Sequence, residues 1–147
     1  MKAKISTVLR TNESRMWDEL QKVSSLMHVA SPILKFTPQE HCSLPKQWAL
    51  GIAYKLKLSF FGVIPLGNHA IELVEINEEE RRIVTNEHGR LARVWNHTIR
   101  IEALDDQTIY YSDEIEIKAG LLTAPTWLFA HLFYRHRQRR WKKLLER

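Results

Sequence analysis

Cysteine is almost absent from this sequence, since Cys42 is the one cysteine among 147 residues. A single cysteine excludes an internal disulfide and favours a reducing compartment, so we expect a cytoplasmic protein. The first residues lack the apolar core of a secretory signal peptide. The longest uncharged run, residues 119–134, is shorter than the roughly 20 residues that a membrane-spanning helix requires. With 44% hydrophobic and 27% charged residues, the composition is that of a single soluble domain over residues 1–147.

Closely spaced metal ligands are lacking as well. His69, His97 and His131 could in principle share a metal ion, but the sequence has neither HExxH nor CxxC spacing. We therefore predict no metal and no cofactor. Cys42 follows His41, but adjacent side chains in a loop rarely point at one substrate atom, so we interpret Cys42 as an inert thiol.

Positive charge is confined to one end of the chain. The net charge is +5, and residues 135–147 alone contain seven Lys or Arg and one Glu, so the remaining residues are close to neutral. A general nucleic-acid-binding surface is therefore not expected. Either these residues form a solvated helix end, or they dock on an anionic membrane surface. The docking alternative would use Arg135, Arg139, Arg140, Lys142 and Lys143.

Periodicity predicts an α+β fold with the order β–α–α–β–β–β–β–β–α. Alternation of apolar and polar residues predicts about six strands joined as an antiparallel meander, and Asn12 is a good N-cap for the first helix. The predicted strands are 3–10, 47–60, 69–76 (with a bulge), 81–87, 91–104 and 108–118. The predicted helices are 13–23, 25–30 and 121–147, and residues 31–45 are predicted to form a loop.

The last helix is the predicted cover of the sheet. Its first half is apolar almost all round, and such a helix must be buried or face something other than water. The strands before it are apolar on one face. For the strand predicted over 47–60, the inward residues would be Trp48, Leu50, Ile52, Tyr54, Leu56, Leu58 and Phe60.

This order of elements resembles the helix-grip fold. The segments FFGVIPLGNHAIELVEIN, IVTNEHGRLARVWNHTIRI, YYSDEIEIKAG and WLFAHLFYRHRQRRWKKL are similar to a bacterial branch of the SRPBCC superfamily, which joins START lipid-transfer domains, polyketide cyclases and pollen-allergen-like proteins. The resemblance implies a curved antiparallel sheet around the last helix, with a cavity for an apolar or amphipathic ligand. The allergen-like branch has a glycine-rich loop after its second strand. Residues 61–68 hold only Gly62 and Gly67, so no phosphate-binding loop is expected there.

Two polar residues, His97 and Asp113, fall on the predicted apolar face of the sheet. If the turn at Asp105 is centred on that residue, His97 lies directly opposite Asp113, and a shift of two residues makes them diagonal neighbours. Because a buried charge is costly unless it is paired, we expect them to pair inside the cavity. Glu87 is predicted on the same face, and His131 and Tyr134 are three residues apart on the helix and could point into the same space.

These observations leave three functions open. We predict binding of a hydrophobic, lipid-like or polyketide-like molecule between the sheet and the last helix. The resemblance also implies an alternative, a polyketide cyclase or dehydratase in which His97 and Asp113 act as catalytic acid and base. Membrane docking through the basic helix end is the third. The residues predicted to line the cavity are Trp48, Tyr54, Glu87, Trp95, His97, Tyr111, Asp113, Trp127, His131 and Tyr134.

Overall fold

The protein forms one seven-stranded antiparallel sheet that curves around a long carboxy-terminal helix. Its structure, a computed structural model, describes residues 1–39 and 43–146. The strands are β1 (Lys2–Leu9), β2 (Leu34–Pro38), β3 (Ala53–Phe60), β4 (Ile64–Asn77), β5 (Arg82–Gly89), β6 (Val94–Ala103) and β7 (Ile109–Lys118). The helices are α1 (Glu13–Leu20), α2 (Val23–Ala30) and α3 (Thr123–Leu145), with a short 3-10 turn at Gly120–Leu122 before α3. The predicted helix-grip architecture is confirmed.

The strands follow the predicted meander. Their order across the sheet is β1-β7-β6-β5-β4-β3-β2, so every neighbour from β2 to β7 is also the next strand in sequence. β1 pairs with β7 and forms the edge of the sheet opposite β2. The predicted N-cap is confirmed, because Oδ1 of Asn12 accepts a hydrogen bond of 2.8 Å from the amide of Arg15.

The structure adds one strand to the six that were predicted. β2 lies inside the segment 31–45, which was predicted to be a loop, and it pairs with β3 from Leu34 opposite Phe60 to Pro38 opposite Leu56. Pro38 is tolerated because β2 is an edge strand, where a residue without an amide proton breaks no ladder on the outer side. His41 and Cys42, which we interpreted as a loop with an inert thiol, lie outside the described residues.

Two strand boundaries also differ from the prediction. The strand predicted from residue 47 begins at Ala53, because Gly51 adopts a left-handed φ of 77° that interrupts the extended chain. Leu50 and Ile52 are consequently exposed and do not face the core. β4 begins at Ile64, five residues before the predicted start.

The predicted bulge in β4 is confirmed. Leu73 pairs with Thr85 and Glu75 pairs with Val84, so Val74 is an extra residue on β4. A single extra residue changes which face of the sheet the following side chains occupy.

One face of α3 is buried against the sheet, at the spacing of three to four residues that an amphipathic helix requires. The buried residues are Thr126, Ala130, Phe133, Tyr134, Arg137, Gln138, Trp141 and Leu145. The apolar first half of α3 is not enclosed all round, because Leu128 and Leu132 are exposed, as are Leu121 and Leu122 just before the helix.

Candidate ligand-binding site

A cavity lies between the sheet, α2 and α3. Its apolar lining includes Leu26, Met27, Ala30, Leu58, Ile71, Ile83, Ile99 and Phe133. Its volume, counted for the centres of water-sized spheres, is about 70 Å³. On that measure a water molecule needs roughly 10–15 Å³, so the cavity has room for a few waters or a short apolar segment. A longer ligand requires outward movement of the lining.

His97 and Asp113 form a buried pair at this cavity. His97 lies opposite Ile115 and Asp113 lies opposite Ile99, so the two side chains are diagonal neighbours. Of the two registers considered from the sequence, the direct opposition is wrong and the diagonal one is confirmed. Nε2 of His97 is 2.7 Å from Oδ1 of Asp113. His97 lines the cavity, whereas Asp113 lies behind it.

Asp113 accepts hydrogen bonds from three side chains although it is fully buried. Besides His97, the hydroxyl of Tyr111 donates to Oδ1 at 2.8 Å and Nε2 of Gln138 donates to Oδ2 at 3.0 Å. Burial alone would raise the pKa of Asp113, but the hydrogen bonds from His97 and Gln138 and the charges of His97 and Arg137 lower it. The carboxylate is therefore stable in its ionised form and holds His97 in one orientation.

A second histidine–carboxylate pair, between His69 and Glu87, lines the same cavity. Nε2 of His69 is 2.9 Å from Oε1 of Glu87, and the hydroxyl of Thr85 donates to Oε2 at 2.7 Å. Burial alone would raise the pKa of Glu87, but its hydrogen bonds to His69 and Thr85 and the charges of His69 and His97 lower it. The sequence placed Glu87 on this face but did not identify His69 as its partner.

Tyr134 connects α3 to the sheet inside the cavity. Its hydroxyl accepts a hydrogen bond of 2.8 Å from Nε1 of Trp95, and its ring lies 4.8 Å from the ring of His97. Burial raises the pKa of Tyr134 far above its ordinary value, so the phenol keeps its proton. Trp95, His97 and Tyr134, all predicted site residues, thus meet at one place.

Arg137 is a cavity residue that the sequence analysis did not identify. It is 8% exposed and lines the cavity. Its guanidinium carbon lies 5.1 Å from the ring centre of Tyr134 and 5.9 Å from that of Phe133. Its spacing of three residues from Tyr134 and four from Trp141 could have revealed it. The sequence analysis instead groups Arg137 with the cations of residues 135–147.

The remaining predicted residues have different positions. Trp48 lines the cavity. Tyr54 packs edge-on against the ring of Trp48, with ring centres 4.9 Å apart, and the hydroxyl of Tyr54 accepts a hydrogen bond from the amide of Ala49. Tyr111 is buried beside Asp113, behind the lining. Trp127 and His131 pack against each other with ring centres 4.4 Å apart, away from the lining, and Nε1 of Trp127 donates to the carbonyl of Lys2.

Among residues 1–39 and 43–146, no cluster of three or more His, Cys, Asp or Glu side chains is arranged to hold a metal ion. Within the same residues, no helix has the length and apolar character needed to cross a membrane.

These features define the fold. A curved antiparallel sheet, two short helices after the first strand and a long helix over a cavity form the helix-grip architecture of START-like proteins, and solved structures confirm this fold. A Chromobacterium violaceum protein is 18% identical with a TM-score of 0.73, covering 100% of this chain and 99% of that chain. A START superfamily protein from Mycobacterium smegmatis is 10% identical with a TM-score of 0.69, covering 99% and 97%. The major latex-like protein 151 of Panax ginseng is 13% identical with a TM-score of 0.63, covering 99% and 97%.

The chain belongs to the family described as Domain of unknown function (DUF8410), whose model matches residues 7–145. No curated protein matches the chain. The fold thus agrees with the SRPBCC resemblance found in the sequence.

Proposed function

We propose that this protein binds a hydrophobic or amphipathic small molecule in the cavity between the sheet and α3. The observation that carries the proposal is the lining itself, which combines a mostly apolar surface with a few converging polar groups, as small-molecule sites do. The START superfamily and major latex-like neighbours share the architecture that encloses it.

Entry of a lipid-sized ligand requires the lining to move, because the cavity volume is only about 70 Å³. Leu26 and Met27 on α2 and Phe36 on the edge strand β2 are half-buried parts of the lining, as are Glu87 and Leu91 near the β5–β6 connection. Displacing α2 and β2 exposes less new backbone than opening a central strand would. We expect α2 and β2 to separate when a ligand binds.

A cavity-filling substitution tests this function. Ala30 lines the cavity and is 2% exposed, so Ala30→Leu places three additional carbons in it. We expect this variant to lose most of its binding of a neutral apolar fluorophore, N-phenyl-1-naphthylamine, while the wild-type protein enhances the fluorescence. Ala124→Leu, at an exposed position of α3, is the matched control. If the wild-type protein binds no fluorophore, or if both variants bind it equally, this function is contradicted.

An acid–base reaction of the cyclase or dehydratase type is a second candidate. The observation in its favour is that His97 faces the cavity while Asp113, behind it, fixes the imidazole, an arrangement that suits a general base or acid. His97→Gln, which keeps an N–H donor for the buried Asp113 carboxylate but removes the imidazole, distinguishes the two functions. An enzyme would still bind a product-like ligand in this variant but would lose conversion, whereas a binding protein would change only its affinity.

Docking on an anionic membrane is a third candidate, and it rests on one exposed stripe of α3. Leu128, Leu132, Arg135 and Arg139 recur every three to four residues and are all exposed, so apolar and cationic groups follow one another on one face. Arg140 is less available, since it contacts His28. We expect Arg135→Glu with Arg139→Glu to abolish binding to anionic vesicles, and salt to weaken it in the unmodified protein. Vesicle binding that persists in the double variant and does not weaken with salt would contradict this candidate.

A further inference from the structure

The charge of Arg137 is the feature of the cavity that the proposed function leaves unexplained. Among the described residues that line the cavity, Arg137 is the sole Lys or Arg. A guanidinium carries five N–H donors and remains protonated at any physiological pH. A buried guanidinium is normally paired with a carboxylate, because an isolated buried charge is costly.

Among the residues that the structure describes, no carboxylate forms an ion pair with Arg137. Its Nε is shielded from solvent and has no hydrogen-bond partner among the described residues. The guanidinium lies instead against the rings of Phe133 and Tyr134, which offer a favourable but weaker cation–π contact.

The two nearby carboxylates make their hydrogen bonds with other side chains. Asp113 accepts from three side chains, and Glu87 is held by His69 and Thr85. Their charges contribute to holding the pKa of Arg137 above its ordinary value, against the opposite effect of burial. They stabilise the cation from a distance, and its N–H donors are left for another acceptor.

We infer that Arg137 binds the carboxylate of an apolar monocarboxylic acid, with the acid's hydrocarbon part against the apolar lining. This inference rests on the proposed function and names the class of its ligand. The planar fork of N–H groups matches the two oxygens of a carboxylate. A group with two negative charges, such as a phosphate monoester, is disfavoured because Glu87 and Asp113 already place negative charge at this site.

The test compares two ligands of equal chain length, octanoate and octan-1-ol, by calorimetric titration of the unmodified protein and of Arg137→Gln. A hydrogen bond to a charged group corresponds to roughly a ten- to hundredfold change in affinity. We therefore expect Arg137→Gln to weaken the binding of octanoate at least about tenfold. The affinity for octan-1-ol should change by no more than about twofold. Arg93→Gln, at an exposed position before β6, should change neither affinity.

A second measurement uses only the unmodified protein and so does not depend on a variant that folds. The carboxyl carbon of carbon-13-labelled octanoate is followed by NMR at the pH where free octanoate is half protonated. In direct contact with Arg137, the bound acid should remain ionised, because a hydrogen-bonded guanidinium lowers the pKa of the acid more than burial and the more distant charges of Glu87 and Asp113 raise it. A bound acid that is mostly protonated at this pH would overturn the inference.

The outcomes also separate this inference from the proposed function. If N-phenyl-1-naphthylamine binds but octanoate neither binds nor displaces it, the cavity takes apolar ligands and the role of Arg137 is overturned. The same holds if Arg137→Gln weakens octanoate and octan-1-ol equally. If the fluorophore and both eight-carbon ligands fail to bind, the proposed function and the inference are both wrong.

Discussion

Asp113 illustrates how single side chains stabilise a polar group inside this fold. It is fully buried, yet its oxygens accept from His97, Tyr111 and Gln138, which belong to two strands and to α3. One carboxylate thus connects β6, β7 and α3. Such a network is stable only while every member is satisfied, because each unpaired buried group is costly.

We therefore expect Asp113→Ala to be severely destabilising. It leaves His97, Tyr111 and Gln138 without their shared acceptor, and breaking a buried ionic pair typically costs about 3–5 kcal/mol. Urea unfolding at neutral pH measures this loss. Asp106→Ala, at an exposed turn, is the control and should change the free energy of unfolding by less than about 0.5 kcal/mol. A loss below about 1 kcal/mol for Asp113→Ala would contradict the network.

The pH dependence of stability follows from the same carboxylates. The pKa values of Asp113 and Glu87 are lowered in the folded protein, so their stabilisation is present above the ordinary carboxyl pKa values of about 4. It is lost as the pH falls through the lowered values. We expect the free energy of unfolding to fall below about pH 4, and Glu87→Gln to make that fall less steep. An unchanged slope in Glu87→Gln would contradict the role of Glu87, and Glu102→Gln, at an exposed position, should leave the slope unchanged.

Part of the site could be predicted from residues alone. The alternation of β6 and β7 placed His97 and Asp113 on one face, and only their register remained open. Arg137 could not be identified by charge, because it lies in a run of cations that also contains exposed members such as Arg135 and Arg139. Its helical spacing from Tyr134 was the available signal.

At the scale of elements, the bulge in β4 decides which side chains reach the cavity. Val74 is an extra residue of β4. His69 precedes it on the strand and so lies on the far side of the bulge from the turn that joins β4 to β5. Without Val74, the pairing of residues 64–73 with β5 would slip by one, which places alternate side chains on opposite faces. The bulge is therefore what directs His69 toward Glu87.

Deleting Val74 tests this account. Either the inward and outward side chains of residues 64–73 exchange faces, or β4 is interrupted. Both outcomes bury side chains that do not belong in the core. We expect the deletion to lower the melting temperature sharply or prevent folding. Val74→Ala keeps the bulge and should cost little, since the side chain is exposed. A deletion variant as stable as Val74→Ala would show that the bulge has no such role.

Elements differed in how well the sequence revealed them. β5, β6 and β7 alternate cleanly and were predicted within a few residues. β2 was hidden because Pro32, Pro38 and Pro45 made the whole segment resemble a loop, and the pairing partner of an edge strand is not visible in its own sequence. The partnership of His69 and Glu87 depended on the position of the bulge, which mixed parity suggested but did not locate.

At the scale of the whole molecule, the sheet, α2 and α3 surround a cavity of about 70 Å³, counted for the centres of water-sized spheres, which is small for a lipid-sized ligand. Close packing stabilises the empty protein, so binding must exchange contacts among the lining for contacts with the ligand. Among the described residues that line the cavity, the buried side-chain atoms without a hydrogen-bond partner are Nε of Arg137, Nε1 of Trp48 and Nδ1 of His69. A ligand with an acceptor oxygen can satisfy the N–H donors of Arg137, whereas a purely hydrocarbon ligand leaves them unpaired.

The most direct test of ligand binding is native mass spectrometry of the protein purified from the organism that encodes it, followed by denaturing extraction. We predict a bound mass that is released on denaturation and proves to be an apolar or amphipathic compound. Its chemical class would also select the substrates for any test of turnover. A protein that is empty when purified, and that takes up neither a neutral apolar fluorophore nor octanoate, would contradict the account.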